Sequence, residues 1–132
     1  MAFPFVDTNV LVYLISSDAS KAARAEQVLA GRVTLSVQVL NELANVARRK
    51  AHMAWPVLVQ VLADIRQFAD VRPLTLATHE TALTLAARYQ LAWYDALIAA
   101  AALEAGCDTL LSEDFQHGLV LEKRLTIRNP FV

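Results

Sequence analysis

Short apolar runs alternate along the chain with longer segments in which apolar residues recur every three to four positions. Short apolar runs are typical of buried strands, and apolar residues that recur every three to four positions are typical of helices that bury one face. We therefore expect strands over 3–6, 32–36, 70–74 and 109–112, with a weaker edge strand over 125–128. We expect helices over 8–15, 20–30, 37–50, 56–69, 78–91 and 94–105.

Because strands and helices alternate, the pattern predicts parallel β-α-β units and an α/β fold. The expected architecture is a three-layer α/β/α sandwich around a central parallel sheet of four to five strands. Local residues support the helix limits, with Gly31 and Gly106 as C-terminal stops, Pro56 in a first turn and Thr78 as an N-cap. No repeat or linker divides the chain, so we expect one domain over 1–132.

The composition is that of a chain that can form its own core. Of 132 residues 56% are hydrophobic and 19% are charged. The single cysteine, Cys107, excludes an intramolecular disulfide and a cysteine-rich zinc site, and we expect it in the core. The first residues lack a basic segment and no apolar run approaches the ~18 residues of a membrane span, so we expect a cytoplasmic protein.

Four carboxylates interrupt apolar stretches at places where predicted strands end or helices lie, namely Asp7, Glu42, Asp95 and Asp114. In a parallel sheet the ligand crevice lies beyond the carboxyl ends of the strands, and all four acids can converge there. A carboxylate cluster without histidine or cysteine suits Mg²⁺ or Mn²⁺. Ions of this kind assist phosphodiester hydrolysis, which is the chemistry that the cluster indicates.

Each acid also has a purely structural explanation. Asp95 would favour a helix dipole, Asp7 would cap the helix after it and Asp114 would begin an Asx-turn. Glu42 has no capping role, although a position at the surface boundary would explain it. The coincidence of four such acids in one predicted crevice is what favours a functional site.

The segments that contain these acids resemble, in order and spacing, the motifs of PIN-domain proteins, and in particular the toxin nucleases of VapBC-type toxin-antitoxin systems. They are Val6-Asp7-Thr8-Asn9-Val10-Leu11, Asn41-Glu42, Tyr94-Asp95-Ala96-Leu97-Ile98-Ala99-Ala100 and Leu111-Ser112-Glu113-Asp114-Phe115-Gln116-His117-Gly118. The likeness spans essentially the whole chain. It implies a PIN-like fold and an endoribonuclease that depends on Mg²⁺ or Mn²⁺.

The resemblance also implies residue roles. Asp7, Glu42, Asp95 and Asp114 would be both the catalytic residues and the metal ligands. We expect Asp7, Glu42 and Asp95 to be the direct ligands. The more indirect contact would fall to Asp114 or to its neighbour Glu113, a candidate fifth acid.

Further roles and partners follow from the same likeness. Asn9, Ser112 and Thr8 would orient the carboxylates or a water molecule. Similar proteins form two-fold dimers and bind an antitoxin whose C-terminal segment lies across the active site. The resemblance therefore implies an RNA substrate, a cognate antitoxin and a homodimer, with no membrane partner.

A group of cations ends the third predicted helix, namely Arg48, Arg49 and Lys50. They could guide an RNA backbone to the metal, as could Lys123, Arg124 and Arg128 near the C-terminus. Cations at a helix C-terminus are equally explained by their favourable interaction with the helix dipole. The aromatic residues Trp55, Trp93 and Tyr94 could stack bases, yet we expect them in the core or in a dimer interface. His52, His79 and His117 lack metal-ligand spacing, and we expect them in loops or at the surface.

The residues of this chain fit three competing functions less well. A phosphohydrolase of the haloacid-dehalogenase type needs a second aspartate two residues after the first, where this chain has Asn9. A dinucleotide-binding module needs a Gly-x-Gly-x-x-Gly segment after the first strand, which is missing. A catalytically silent PIN-like binding module would be favoured if one of the four acids were absent, and all four are present.

Overall fold

A sheet of six strands lies at the centre of the computed structural model, which describes residues 2–132. The strands are β1 (Phe5–Val6), β2 (Val33–Ser36), β3 (Ala69–Arg72), β4 (Thr109–Leu111), β5 (Val120–Leu121) and β6 (Leu125–Arg128). Within the same residues the helices are α1 (Thr8–Val12), α2 (Ala19–Val28), α3 (Val37–Arg49), α4 (Trp55–Gln67), α5 (Leu76–Tyr89) and α6 (Trp93–Glu104). A short 3-10 helix, Tyr13–Ile15, follows α1 directly.

The strand order is β3-β2-β1-β4-β6-β5, and every neighbouring pair is parallel except β5 with β6. The chain moves outward from β1 to β2 and β3 and then returns to β4 on the other side of β1. Right-handed crossovers therefore place α1 to α4 on one face of the sheet and α5 and α6 on the other. The reversal between β1 and β4 is the point at which open α/β sheets bind ligands. The predicted α/β fold with a central parallel sheet is confirmed.

The sheet has six strands where four to five were expected. The additional strand, β5, has two residues and pairs antiparallel with β6, with Val120 opposite Thr126. Three residues lie between these strands, and the first two of them, Glu122 and Lys123, have a positive φ, of 51° and 60°. Hairpin turns of this kind usually carry glycine or asparagine, so the sequence gives no turn signal here. As a result, β6 is covered by β5 and is not the edge strand we expected.

The start of α5 also differs from the expectation. Thr78 was expected as the N-cap, but α5 begins at Leu76 and its N-cap is Thr75. The Thr75 hydroxyl accepts from the Thr78 amide at 3.2 Å, and the Thr78 hydroxyl accepts from the Thr75 amide at 3.1 Å. The two threonines thus form a reciprocal capping box that begins the helix earlier.

The core is dominated by α6, in which every residue over 96–103 is buried. A helix that is buried on all sides is apolar on all sides, and four consecutive alanines at 99–102 let α5 and the sheet approach it closely. Cys107 follows α6 and is 3% exposed, which confirms its expected place in the core. None of the helices found over residues 2–132 has the length and apolarity to cross a membrane.

Candidate metal centre at the carboxyl ends of β1 and β4

Three of the four predicted acids bring carboxylate oxygens within 4.8 Å of one another, namely Asp7, Asp95 and Asp114. Asp7 follows β1 and is the N-cap of α1, Asp95 lies in the first turn of α6, and Asp114 lies in the loop after β4. They share an open cavity of about 420 Å³ at the switch point of the sheet. Its other lining residues are Thr8, Asn9, Val12, Tyr13, Glu42, Asn45, Val46, Lys50 and Glu113.

Asp7 is the most deeply buried of these acids, with 3% of its surface exposed. Its Oδ1 accepts from the Thr8 amide at 2.7 Å. Its Oδ2 accepts from the Ser112 hydroxyl at 2.8 Å and from the Asn9 side-chain amide at 3.3 Å. Asn9 and Ser112 therefore touch the carboxylate that they were expected to orient, and they also bond to each other at 3.1 Å.

Burial raises the pKa of Asp7 to about 7, although its hydrogen bonds from Ser112 and Thr8 act in the opposite direction. Burial also raises the pKa of Asp95 to about 6, and the charges of Asp114 and Glu42 add to that effect. Carboxylates that resist ionisation because they are desolvated and crowded by like charges are stabilised by a cation. The donor set is entirely oxygen, and it fits a hard divalent ion such as Mg²⁺ or Mn²⁺.

Glu42 and Asp114 are placed differently from the expectation. Glu42 lies on α3 and lines the cavity, but its Oε2 accepts from the Thr8 hydroxyl at 2.8 Å and its carboxylate is not part of the close group of three. Asp114, which was expected to make an indirect contact, is part of that group. The Thr8 hydroxyl fixes one oxygen of the Glu42 carboxylate in this position.

Glu113 lines the cavity but is bonded elsewhere. Its Oε1 accepts from the Tyr13 hydroxyl at 2.5 Å and its Oε2 from the Lys21 ammonium at 3.3 Å. Lys21 also donates to the Tyr13 hydroxyl at 2.9 Å. Sequence reasoning missed Tyr13 and Lys21, and no pattern along the chain could have paired them with a residue about a hundred positions away.

The three cations at the end of α3 differ in their surroundings. Lys50 lines the cavity beside the acids. The Arg48 guanidinium lies 4.2 Å from the centre of the Trp55 ring and donates to the Met53 carbonyl at 2.8 Å. Arg49 is exposed. Lys50 is thus the member of this group that the structure brings to the acids.

The aromatic residues were expected in the core or in a dimer interface, and two of them are not in the core. Trp55 is 61% exposed and Tyr94 is 59% exposed in the single chain, which excludes the core for both and leaves the dimer interface as a prediction. Trp93 is partly buried and packs edge-on against His79 with ring centres 5.3 Å apart. His52, His79 and His117 are all exposed, as expected.

Comparison with known proteins gives one family and a consistent fold. The PIN domain model matches residues 5–119. The fold is similar to Mycobacterium tuberculosis VapC20, described as a sarcin-ricin loop cleaving toxin, with 22% identity, a TM-score of 0.71 and coverage of 91% of this chain and 98% of that one. It is also similar to a toxin-antitoxin complex from Klebsiella pneumoniae, with 19% identity, a TM-score of 0.74 and coverage of 96% and 97%.

A third similar structure is VapBC2 from Rickettsia felis bound to a DNA fragment from its promoter, with 19% identity, a TM-score of 0.66 and coverage of 95% and 96%. No curated protein matches the sequence. The structural likenesses show the fold alone, whereas the family model matches most of the chain over a range that contains all four acids, Asp7, Glu42, Asp95 and Asp114. The chain therefore belongs to the PIN-domain family.

Proposed function

We propose that this PIN-domain protein is a metal-dependent endoribonuclease that hydrolyses RNA phosphodiester bonds, and that it is the toxin of a type II toxin-antitoxin pair. The observation that carries the proposal is the group formed by the buried Asp7 with Asp95 and Asp114, whose carboxylate oxygens lie within 4.8 Å of one another. Three acids held this close are unfavourable without a cation. A purely structural role for each of them would not require them to meet.

We infer that the cation is Mg²⁺ or Mn²⁺, held by Asp7, Asp95 and Asp114, with Glu42 beside them in the cavity. When bound, such an ion lowers the pKa of water and shields phosphoryl oxygens. The chain's own residues prepare the site for it. Ser112 and Asn9 fix the direction of the Asp7 carboxylate, and the first turn of the buried helix α6 fixes Asp95.

Glu42 is suited to a different task from the other acids. Thr8 holds its Oε2 at 2.8 Å, so the side chain has a fixed position within the cavity. Its other oxygen can accept the proton of an attacking water molecule, which is the role of a general base. This assignment agrees with the separation of Glu42 from the close group of three.

An RNA substrate is supported by the cavity and by the similar structures. Lys50 supplies a positive charge at the cavity wall, where it can contact a phosphate beside the acids. Arg49 is exposed at the same helix end and extends the positive surface. VapC20, which has a similar fold, is described as cleaving the sarcin-ricin loop.

Two protein partners belong to the proposal, a cognate antitoxin and a second copy of the chain. Several large apolar side chains on α4 and α5 are exposed, which suits contact with other proteins. They are Trp55, Val57, Val59, Leu76 and Leu83. The similar structure from Klebsiella pneumoniae is described as a toxin-antitoxin complex. A cytoplasmic location stays a prediction.

The deciding experiment is an RNA cleavage assay with the purified full chain. We expect cleavage with Mg²⁺ or Mn²⁺, no cleavage in EDTA, and a loss of at least about a hundredfold in Asp95→Asn. Asp64→Asn, an exposed aspartate on α4, is the matched control and should retain activity. Cleavage that persists in Asp95→Asn would overturn the nuclease site, and RNA binding without any cleavage would favour the silent binding module.

A further inference from the structure

A closed ring of hydrogen bonds adjoins the metal centre. The Lys21 ammonium donates to the Tyr13 hydroxyl at 2.9 Å and to Glu113 Oε2 at 3.3 Å, and the Tyr13 hydroxyl donates to Glu113 Oε1 at 2.5 Å. The three residues come from α2, from the short 3-10 helix and from the loop after β4. Tyr13 and Glu113 both line the cavity. The ring thus joins three separate parts of the chain at the cavity wall.

The loop that carries Glu113 also carries Asp114 and is held at each successive residue. The Ser112 hydroxyl donates to Asp7, the Glu113 amide donates to Asn9 Oδ1 at 3.3 Å, and the Asp114 amide donates to the Ser112 hydroxyl at 3.1 Å. These bonds hold the inner side of the loop. On its outer side, the Glu113 carboxylate is held by Tyr13 and Lys21.

The ring is supported from behind by the last residues of the chain. Phe131 packs edge-on against Tyr13 with ring centres 4.9 Å apart, and the Lys21 ammonium lies 5.3 Å from the Phe131 ring centre. Arg24 on α2 donates to the Pro130 carbonyl at 2.7 Å. Tyr13 and Lys21 are therefore held in place, and they can in turn hold the Glu113 carboxylate in one position.

We propose that Tyr13 and Lys21 are positioning residues that hold Glu113 out of the metal centre and thereby set the Asp114 carboxylate within it. The proposal rests on the proposed metal-dependent function. Two adjacent acids on one short loop compete for the same cation, and only one of them is paired with a lysine. Without the ring, Glu113 would be free to turn toward the cation, and the loop would lose its outer attachment.

The chain contains a matched control for this arrangement. Arg88 and Tyr89 at the end of α5 bond to Glu122, with Arg88 2.5 Å from Glu122 Oε1 and the Tyr89 hydroxyl 3.4 Å from Oε2. This second tyrosine, cation and glutamate group lies at the turn after β5, and none of its members lines the cavity. Substitutions there remove the same kinds of bond without touching the metal centre.

The first test measures the loop in the metal-free full chain. We expect Tyr13→Phe and Lys21→Met to speed amide hydrogen exchange at Glu113 and Asp114 by about tenfold, because the outer attachment of the loop is lost. Lys21→Arg retains the charge and should restore most of the protection. Tyr89→Phe and Arg88→Met should leave both amides at the wild-type rate.

The second test measures Mn²⁺ binding by calorimetry without RNA. We expect Tyr13→Phe and Lys21→Met to bind Mn²⁺ about tenfold more weakly, and Glu113→Gln to be affected less than Asp114→Asn. Wild-type exchange and wild-type Mn²⁺ affinity in the ring variants would overturn the proposal. Equal losses in Glu113→Gln and Asp114→Asn would also overturn it, since Glu113 would then be a ligand. If the wild-type chain binds no Mn²⁺, the proposed function fails, and the exchange rates alone decide whether the ring positions the loop.

Discussion

The Ser112 hydroxyl donates to Asp7 Oδ2 across 2.8 Å and so joins the end of β4 to the end of β1. The same oxygen accepts from the Asn9 side chain and from the Asp114 amide, each at 3.1 Å. Ser112 is completely buried. One hydroxyl therefore connects two of the three clustered acids, and removing it disturbs both.

Ser112→Ala should destabilise the metal-free protein by about 1 to 3 kcal/mol, because buried polar groups lose their partner. It should also weaken metal affinity and RNA cleavage by about 10-fold to 100-fold. Urea denaturation and calorimetry measure the two effects. Ser16→Ala, which removes a hydroxyl that accepts from the Asp18 amide away from the cavity, is the control. Wild-type metal affinity in Ser112→Ala would contradict the orienting role.

The stability of the metal-free protein should fall as pH rises. Burial raises the pKa of Asp7 from 3.8 to about 7, so the folded chain holds a proton that the unfolded chain releases. The stability linked to this proton is fully present below pH 3.8 and is lost as pH rises to about 7. Between pH 5 and 7 we expect the free energy of unfolding to fall by about 2 to 3 kcal/mol.

Urea denaturation in EDTA at several pH values checks this dependence. Asp7→Asn should show a flatter profile, because the titrating group is gone. Asp95, whose pKa is also raised, contributes in the same direction, but its partial exposure reduces the effect. A stability that rises from pH 5 to pH 7 in the wild-type chain would contradict the prediction.

Metal binding should release protons near pH 6. Since the raised pKa of Asp7 is about 7 and that of Asp95 about 6, an ion must displace protons from the site at that pH. We expect about one proton per ion at pH 6 and close to none at pH 8.5, with a correspondingly higher affinity at pH 8.5. Mn²⁺ calorimetry in buffers of different ionisation enthalpy measures the number. Binding without proton release at pH 6 would exclude Asp7 as a ligand.

Asp114→Asn and Glu42→Gln should have separable effects. Asp114 belongs to the close group of three, so its neutral variant should weaken Mn²⁺ binding by about tenfold or more. Glu42 is held by Thr8 and is proposed to accept a proton, so Glu42→Gln should lower kcat by about 10²-fold to 10⁴-fold with a smaller change in affinity. The reverse pattern would return Glu42 to the set of direct ligands.

Lys50 and Arg48 should respond differently to substitution. Lys50→Ala should raise KM for RNA and reduce the salt dependence of binding by about one unit of slope, because one phosphate contact is lost. Arg48 is already engaged by Trp55 and the Met53 carbonyl, so Arg48→Ala should lower the melting temperature and leave the salt slope unchanged. Filter binding of an RNA oligonucleotide to Asp95→Asn measures the slopes without cleavage. An unchanged slope in Lys50→Ala would remove this lysine from the RNA contacts.

The parts of the site that the sequence predicted are those controlled by local structure. Asp7 follows a short apolar run and caps the next helix, and Asp95 begins a helix, so the sheet topology alone brings both to one edge. The position of the Glu42 carboxylate depends on its contact with Thr8, 34 positions away in the sequence. The Tyr13 contact with Glu113 spans 100 positions. Hydrogen bonds between residues so far apart along the chain leave no periodic pattern in the sequence.

The fold likewise contains elements that local periodicity made predictable and one that it did not. The long helices and the parallel strands have strong periodicity, and their limits shifted by only a few residues from the expected ranges. The strand β5 has two residues, and its turn uses Glu122 and Lys123 at a positive φ in place of glycine. Nothing in the local sequence separates such a turn from a loop. The bonds from Arg88 and Tyr89 to Glu122 stabilise it from the neighbouring helix.

The complete burial of α6 over 96–103 determines how random mutations will affect this protein. A polar residue anywhere in that stretch would be forced into the core, so inactivating changes will collect along the helix as well as at the acids. We expect the two classes to differ in cellular abundance, because the helix variants should unfold and be degraded whereas the acid variants should accumulate. A screen for loss of activity in this chain therefore identifies its chemistry only when protein level is measured alongside.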